Sequence, residues 1–174
     1  VRTEGRVTLY LDEEKVQSQQ GELQLTDYGV SGIPVFQISR YAIRGLHDGR
    51  KASLVIDFLP EMSAEELKVF WEQRKNIAPY KNDKELLTGI FPEKLIRVLV
   101  SRKDFLKDIK AFPLDIKDGT GFEQAQVCSG GVDTGEIDPC TMESRIIKGL
   151  YFAGELIDID GTCGGYNLQW AWSS

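Results

Sequence analysis

The feature that most constrains this chain is a change of hydrophobic period. Alternate positions are apolar through much of the first sixty residues, a helical spacing then takes over, and alternation returns after Ala111. Side chains alternate across a strand but recur every 3.6 residues around a helix, so this order requires a β unit interrupted by helices. In Gly5–Leu11, Val7, Leu9 and Leu11 share one face, with Thr8 and Tyr10 on the other. A turn around Asp12–Lys15 returns a second strand through Val16, and Gly21–Thr26 alternates again. Gly29 and Gly32 punctuate a loop, after which Pro34 marks Ile33–Ile38 as an edge or strand-initiating segment. Leu54–Leu59 has the length and composition of a buried strand.

Beyond Pro60 the signals are helical. Ser63 and Glu66 make a capping-box pair, and Leu67, Phe70 and Trp71 follow at helical spacing, predicting a helix over about Ala64–Lys75. Lys84–Leu87 reads as a further turn, Pro92 as the first residue of a helix through Val100, and Arg102–Ile109 as a third helix. Phe112, Leu114 and Ile116 resume the strand pattern, which turns at Asp118-Gly119 and continues through Ala125–Cys128. Because β structure returns after the helices, the helical patch at about 60–110 is an insertion within one β-rich domain.

Composition excludes several classes of function. With 174 residues, 41% apolar and 28% charged, the chain resembles a soluble globular protein, and no apolar run suggests a membrane span. Its 21 basic against 27 acidic side chains give a net charge of −6, with no basic stripe to follow a phosphate backbone. Neither nucleic acid nor a membrane is expected as a partner. Cys128, Cys140 and Cys163 form no CxxC pair and leave an odd thiol, which points to isolated thiols in a reducing, cytoplasmic compartment. The single histidine, His47, reads as an exposed loop residue; without nearby cysteines it builds no zinc site, and no GxSxG elbow accompanies it. Asp158 and Asp160 lack the ligand spacing of a calcium loop, and Asp160 suits a turn before Gly161. No metal site is expected. The lack of an initiator Met, and a last residue that falls inside a helical run, lead us to expect a chain cut at both ends.

The chemistry concentrates near the C-terminus. Leu150–Ala153 is a short apolar segment of strand type, Gly154-Glu155 ends it, Gly161, Gly164 and Gly165 come next, and Asn167–Trp172 has helical character. Strand, glycine-rich turn and helix N-terminus suit an anion or the polar edge of a cofactor, because glycine admits close backbone approach and unpaired N–H groups favour negative charge. A carboxylate at the strand end, as in Glu155, suits ribose or ribityl hydroxyls. The same arrangement also serves as a plain tight connection, and residue types alone do not separate the two. Trp170 and Trp172, two positions apart on a helix, cannot both face one site.

The stretch Gly149–Glu155, with Asp158, Asp160-Gly161 and Gly164–Ala171, resembles the C-terminal flavin motif of the aminoacetone oxidase-like NAD(P)/FAD-dependent oxidoreductases. Gly21–Gly32 resembles that family's mid-chain signature. Gln126–Val132, with Asp138-Pro139 and Thr141–Ser144, resembles its re-entry segment. The resemblance implies an α+β architecture: an antiparallel β-barrel-like inserted domain over residues 1–138, interrupted by the helical portion, then a strand–turn–helix of a Rossmann-like FAD domain over 144–174. It implies FAD as cofactor, NAD(P)H as a candidate electron donor, and a small-molecule substrate. Gly154, Glu155 and Asp158 would lie along the ribityl and pyrophosphate part of FAD. Gly164, Gly165, Tyr166 and Asn167 would bring a helix end to the isoalloxazine, and Gly130 and Gly131 would allow close approach from the insertion. Relatives often carry histidine where Asp27 stands, so no catalytic residue transfers there.

No GxGxxG fingerprint is present, so the resemblance assigns hydride transfer to a longer parent that contains the N-terminal FAD-binding domain. The isolated fragment is expected to hold no FAD tightly, to be inactive, and to self-associate through its uncovered apolar face. The contrasting expectation is a non-catalytic β-rich binding or interaction module.

Overall fold

The computed structural model describes residues 1–121, 123, 125 and 127–174. It comprises two compact units, Val1–Asp118 and Gly119–Ser174.

In the first unit, β1 (Arg2–Leu11) and β2 (Glu14–Leu25) form a long antiparallel hairpin, with Arg6 opposite Gln20 and Leu11 opposite Glu14. Asp12 and Glu13 turn the chain with positive φ, and the Arg50 guanidinium ties this turn down by donating to the Asp12 carboxylate at 2.8 Å and to the Leu11 carbonyl at 3.0 Å. β3 (Val30–Ser31) pairs with the end of β2; β4 (Ala52–Asp57) joins the other side of β1, and β5 (Phe112–Ile116) completes a five-stranded antiparallel sheet in the order β3-β2-β1-β4-β5. This sheet curls as an open half-barrel. Val7, Leu9 and Leu11 lie on its buried face as their alternation predicts, beside Leu23, Leu54 and Ile56.

Five helices supply the other half of that core. Ile33–Ile38, expected as an edge strand, is instead the start of α1 (Ile33–His47). Proline at the second helical position costs no intrahelical bond, and Pro34, Ile38, Ala42 and Gly45 then form one buried stripe at helical spacing. A Cβ on Gly45 would lie 2.6 Å from the Leu11 side chain, so glycine lets α1 lie close against β1. His47 is exposed as expected, but as the last residue of α1.

α2 (Ala64–Ile77) begins at the expected capping box: the Ser63 hydroxyl accepts from the Glu66 N–H at 3.1 Å, and the Glu66 carboxylate accepts from the Ser63 N–H at 2.7 Å. The segment read as a turn is a short helix, α3 (Asp83–Leu87), with its own Asn82–Glu85 box. Pro92 caps α4 (Glu93–Val100) rather than entering it, and α5 is confined to Phe105–Lys110. Trp71 is 1% exposed and meets Phe105 edge to face at 5.2 Å between ring centroids. Lys110 ties the end of β4 to the segment that follows it, donating to the Asp57 carboxylate at 2.8 Å and to the Leu59 and Met62 carbonyls.

The second unit is built of short pieces. 3-10 turns at Thr134–Glu136 and Gly154–Leu156, isolated bridges, and α6 (Tyr166–Ser173) make up its regular structure among the described residues. Val127 and Cys128 are not in a strand; of the segment expected as one, Gln126 lies outside the described residues.

Candidate functional site

The apolar segment Leu150–Ala153 does not form the expected strand. It is reduced to one antiparallel bridge, Tyr151 opposite Glu143, with the Ser144 N–H donating to the Leu150 carbonyl at 2.7 Å and the Phe152 N–H to the Met142 carbonyl at 3.0 Å. A strand needs a ladder partner along its length, and among the described residues this one has only the turn that precedes it. Tyr151 is consequently 61% exposed.

Gly154 comes next, with φ of 71°, and sits beneath the far end of α6. Its N–H donates to the Ser174 hydroxyl at 2.7 Å, and its carbonyl accepts from the Trp170 indole N–H at 3.3 Å. Trp170 thus faces the turn while Trp172 is 89% exposed, which keeps the two indoles on different faces as their spacing demands.

At the near end of α6, Gly165 is the N-cap with φ of 92°, no side chain caps the helix, and its first turn carries no acidic residue. Gly164 also has positive φ, and no atom lies within 4 Å of where a Cβ on Gly165 would be. Among the described residues no side chain therefore satisfies the first N–H groups of α6, and an uncapped helix end is the arrangement that attracts an anion or an electron-rich ring edge. Asn167 has a different task. Its side-chain carbonyl accepts from the Gly161 N–H at 2.7 Å and its amide donates to the Gly161 carbonyl at 3.3 Å, pinning the turn that leads into the helix. Tyr166, 62% exposed, lies beside Gly164.

A second cluster joins residues far apart in sequence. The Val132 N–H donates to the Leu156 carbonyl at 2.8 Å and the Asp158 N–H to the Val132 carbonyl at 3.1 Å, giving a parallel bridge between Val132 and the buried Ile157. A Cβ on Gly131 would stand 2.5 Å from the Leu156 carbonyl oxygen and 2.8 Å from the Asp158 nitrogen. The lack of a side chain at Gly131 is therefore already required by this backbone contact. Upstream, the Gly130 N–H donates to the Asp158 carboxylate at 3.1 Å and the Cys128 N–H to the Glu155 carboxylate at 3.3 Å. The structure thus places Gly130, Gly131, Glu155 and Asp158 together, and gathers Gly164, Gly165, Tyr166 and Asn167 around the start of α6. Sequence reasoning missed the Val132–Ile157 pairing, because Val132 stands alone between Gly131 and Asp133 and the Leu156-Ile157 pair is too short to carry a periodic signal.

The groups present are compatible with a flavin: an uncapped helix end, and at Glu155 a second carboxylate oxygen that has no bond among the described residues. Cys128 and Cys140 are exposed free thiols and Cys163 is half-buried. Among the described residues, no group of three or more His, Cys, Asp or Glu could hold a metal ion, and no helix is long and apolar enough to cross a membrane. Asp27 lies exposed in the Thr26–Gly29 turn, which the Thr26 hydroxyl closes by accepting from the Gly29 N–H at 3.1 Å.

The model of the HI0933-like protein Rossmann domain matches residues 18–174. The chain is 44% identical to a 3-dehydro-bile acid delta(4,6)-reductase of Clostridium scindens, over 100% of the chain and 47% of that protein. It is 35% identical to a ribosomal RNA dihydrouridine synthase of Escherichia coli, over 87% of the chain and 40% of that protein, and 34% identical to one of Haemophilus influenzae, over 88% and 40%. The chain spans less than half the length of these relatives.

Proposed function

The chain belongs to the HI0933-like protein Rossmann-domain family, and from that premise we propose that it supplies two parts of an FAD-dependent oxidoreductase. The first is an inserted, substrate-side β domain running to about residue 138. The second is the returning flavin-contacting segment, about residues 144–174, which resembles that of the aminoacetone oxidase-like flavoproteins. One observation carries the reading: the N-terminus of α6 at Gly165, which no side chain caps among the described residues, on a stretch inside the family match.

In this reading, bound FAD, reduced by a donor such as NAD(P)H, supplies a hydride. The α6 N-terminus favours the negative charge of the flavin edge, Gly164 lets the backbone approach, and Glu155 accepts hydrogen bonds from the ribityl chain through its second oxygen. Asn167 holds the turn by which α6 presents its N–H groups. The three relatives are named a 3-dehydro-bile acid delta(4,6)-reductase and two ribosomal RNA dihydrouridine synthases, names that we read as reduction of a carbon–carbon double bond. We assign this chain the same reaction class, with an apolar, carbonyl-conjugated small molecule as substrate. The net charge of −6 supports that choice over RNA, whose binding rests on cationic contacts to phosphate.

The second reading, a non-catalytic β-rich binding module, draws on the first unit's possession of its own core. Absorbance decides between them. A chain as long as these relatives is expected to purify yellow or to take up added FAD stoichiometrically, and a colourless protein that ignores FAD would sink the flavin reading. The 174-residue chain alone is expected to stay colourless and to self-associate through the exposed Ile146, Ile147, Leu168 and Trp172.

A further inference from the structure

Asp158 suggests a ligand by position, since a carboxylate next to a flavin segment invites pairing with a hydroxyl. Its geometry suggests another task. Two backbone bonds at Val132 and the bare Cα of Gly131 press one end of the 128–132 segment onto residues 156–158. Among the described residues the other end has no such backbone pairing. There the Gly130 N–H meets the Asp158 carboxylate at 3.1 Å and the Cys128 N–H meets Glu155 at 3.3 Å, both in exposed surroundings. Gly130 has φ of 103° and no atom within 4 Å of a Cβ position, so no side chain of its own holds the loop. A carboxylate that accepts from a backbone N–H makes a stronger bond than a neutral acceptor, which suits a loop with so little else to hold it.

We propose that Asp158 is a positioning residue whose carboxylate latches the Gly130–Gly131 loop onto the 154–158 turn. Glu155 completes the latch with one oxygen and leaves the other for the flavin. The latch prearranges the re-entry backbone beside the cofactor, so that binding FAD does not have to order it. In this proposal Asp158 acts through the loop and not as a ligand of the flavin. This inference rests on the flavin reading above for its consequence, but not for the latch itself.

Two measurements test it. In the 174-residue chain, amide hydrogen exchange at Gly130 should accelerate by roughly tenfold in Asp158→Ala, the scale of one lost charge-assisted bond. Asp158→Asn keeps an acceptor oxygen and should exchange within about threefold of the native chain. Glu143→Ala, which frees the Gly149 N–H from its own carboxylate partner, should leave Gly130 unchanged. In the longer chain, FAD affinity should fall by roughly tenfold in Asp158→Ala and recover in Asp158→Asn.

Unchanged exchange at Gly130 in Asp158→Ala overturns the latch. Faster exchange with unaltered FAD affinity overturns the positioning role. Loss of affinity in Asp158→Asn equal to that in Asp158→Ala identifies a direct ligand instead and overturns the proposal. If the native longer chain ignores FAD, the flavin reading and the positioning role fail together, while the exchange result still decides the latch.

Discussion

The two units of this chain are held together in different ways. In the first, Val7, Leu9, Leu23, Ile56, Trp71, Leu99 and Ile109 are almost wholly buried in one continuous cluster shared by sheet and helices. In the second, only Ile137 and Ile157 are buried apolar residues among those described, while Ile146, Tyr151, Leu156, Leu168 and Trp172 are largely exposed. Stabilisation by burial scales with apolar area, at roughly 25 cal/mol per Å², so the first unit has a driving force that the second does not. The second is ordered by backbone pairing, by carboxylates that accept N–H groups, and by glycines that permit close approach. Bonds of that kind contribute only about 0.5–1.5 kcal/mol each, and regions built from them open locally. Stability therefore resides in one unit and the candidate chemistry in the other.

The sharpest way to break this contrast is to remove the largest buried side chain from the first unit. Trp71→Ala should cost about 3–5 kcal/mol and bring down the cluster cooperatively, as read by urea denaturation followed through circular dichroism. Ile157→Ala should cost at most about 2 kcal/mol, at the bottom of the range for buried aliphatics. Equal losses for the two would mean that the second unit has a core after all.

Next in size is Gly131→Ala. The added methyl meets the backbone of residues 156–158, which cannot move as a side-chain tip can, so a cost of about 1–3 kcal/mol is expected. It should be confined to residues 128–132 and 154–158. Amide exchange across the whole chain is the readout, and loss of protection in β1 or α2 would show that the two units are energetically coupled.

The first unit was largely legible because its signals are local. Alternation located β1 and β5, a short apolar run located β4, and Ser63 with Glu66 located the start of α2. α1 was misread because Gly32 and Pro34 mark a break in the strand pattern and are equally compatible with a helix or a strand beyond it. Only the recurrence at Pro34, Ile38 and Ala42, read together, favours a helix. In the second unit the residue types of the site were legible and their partners were not. Nothing in the sequence around Glu155 says that its carboxylate meets the N–H of Cys128, because that contact spans 27 positions and depends on two glycines elsewhere. Leu150–Ala153 was misread for a related reason: an apolar run announces a strand, but the ladder that makes it one must come from elsewhere in the chain.

Smaller effects come from the surface of the first unit, and they sharpen the comparison because they act on a helix end and leave the core alone. Ser63→Ala removes the N-cap of α2 and should cost about 1 kcal/mol. The Glu66 carboxyl is held below the ordinary glutamate value, chiefly by accepting the Ser63 N–H and then by the Ser63 side chain. A carboxyl that is more acidic when folded stabilises the fold in its ionised form. Its contribution is complete above the ordinary value of 4.5 and fades as pH falls through the lower, folded one. Acidification below that point should therefore loosen the first turn of α2 in the native chain. Glu66→Gln should flatten this part of the pH dependence, as measured by denaturation midpoints between neutral pH and about pH 3. Leu67 and Trp71 should keep their protection from exchange throughout, because a cap orders the entry of the helix while the cluster beneath holds its body. If acid instead exposes Trp71 before the end of α2 frays, the cap is part of what holds the core, and the distinction between a unit kept by burial and one kept by hydrogen bonds would have to be drawn elsewhere.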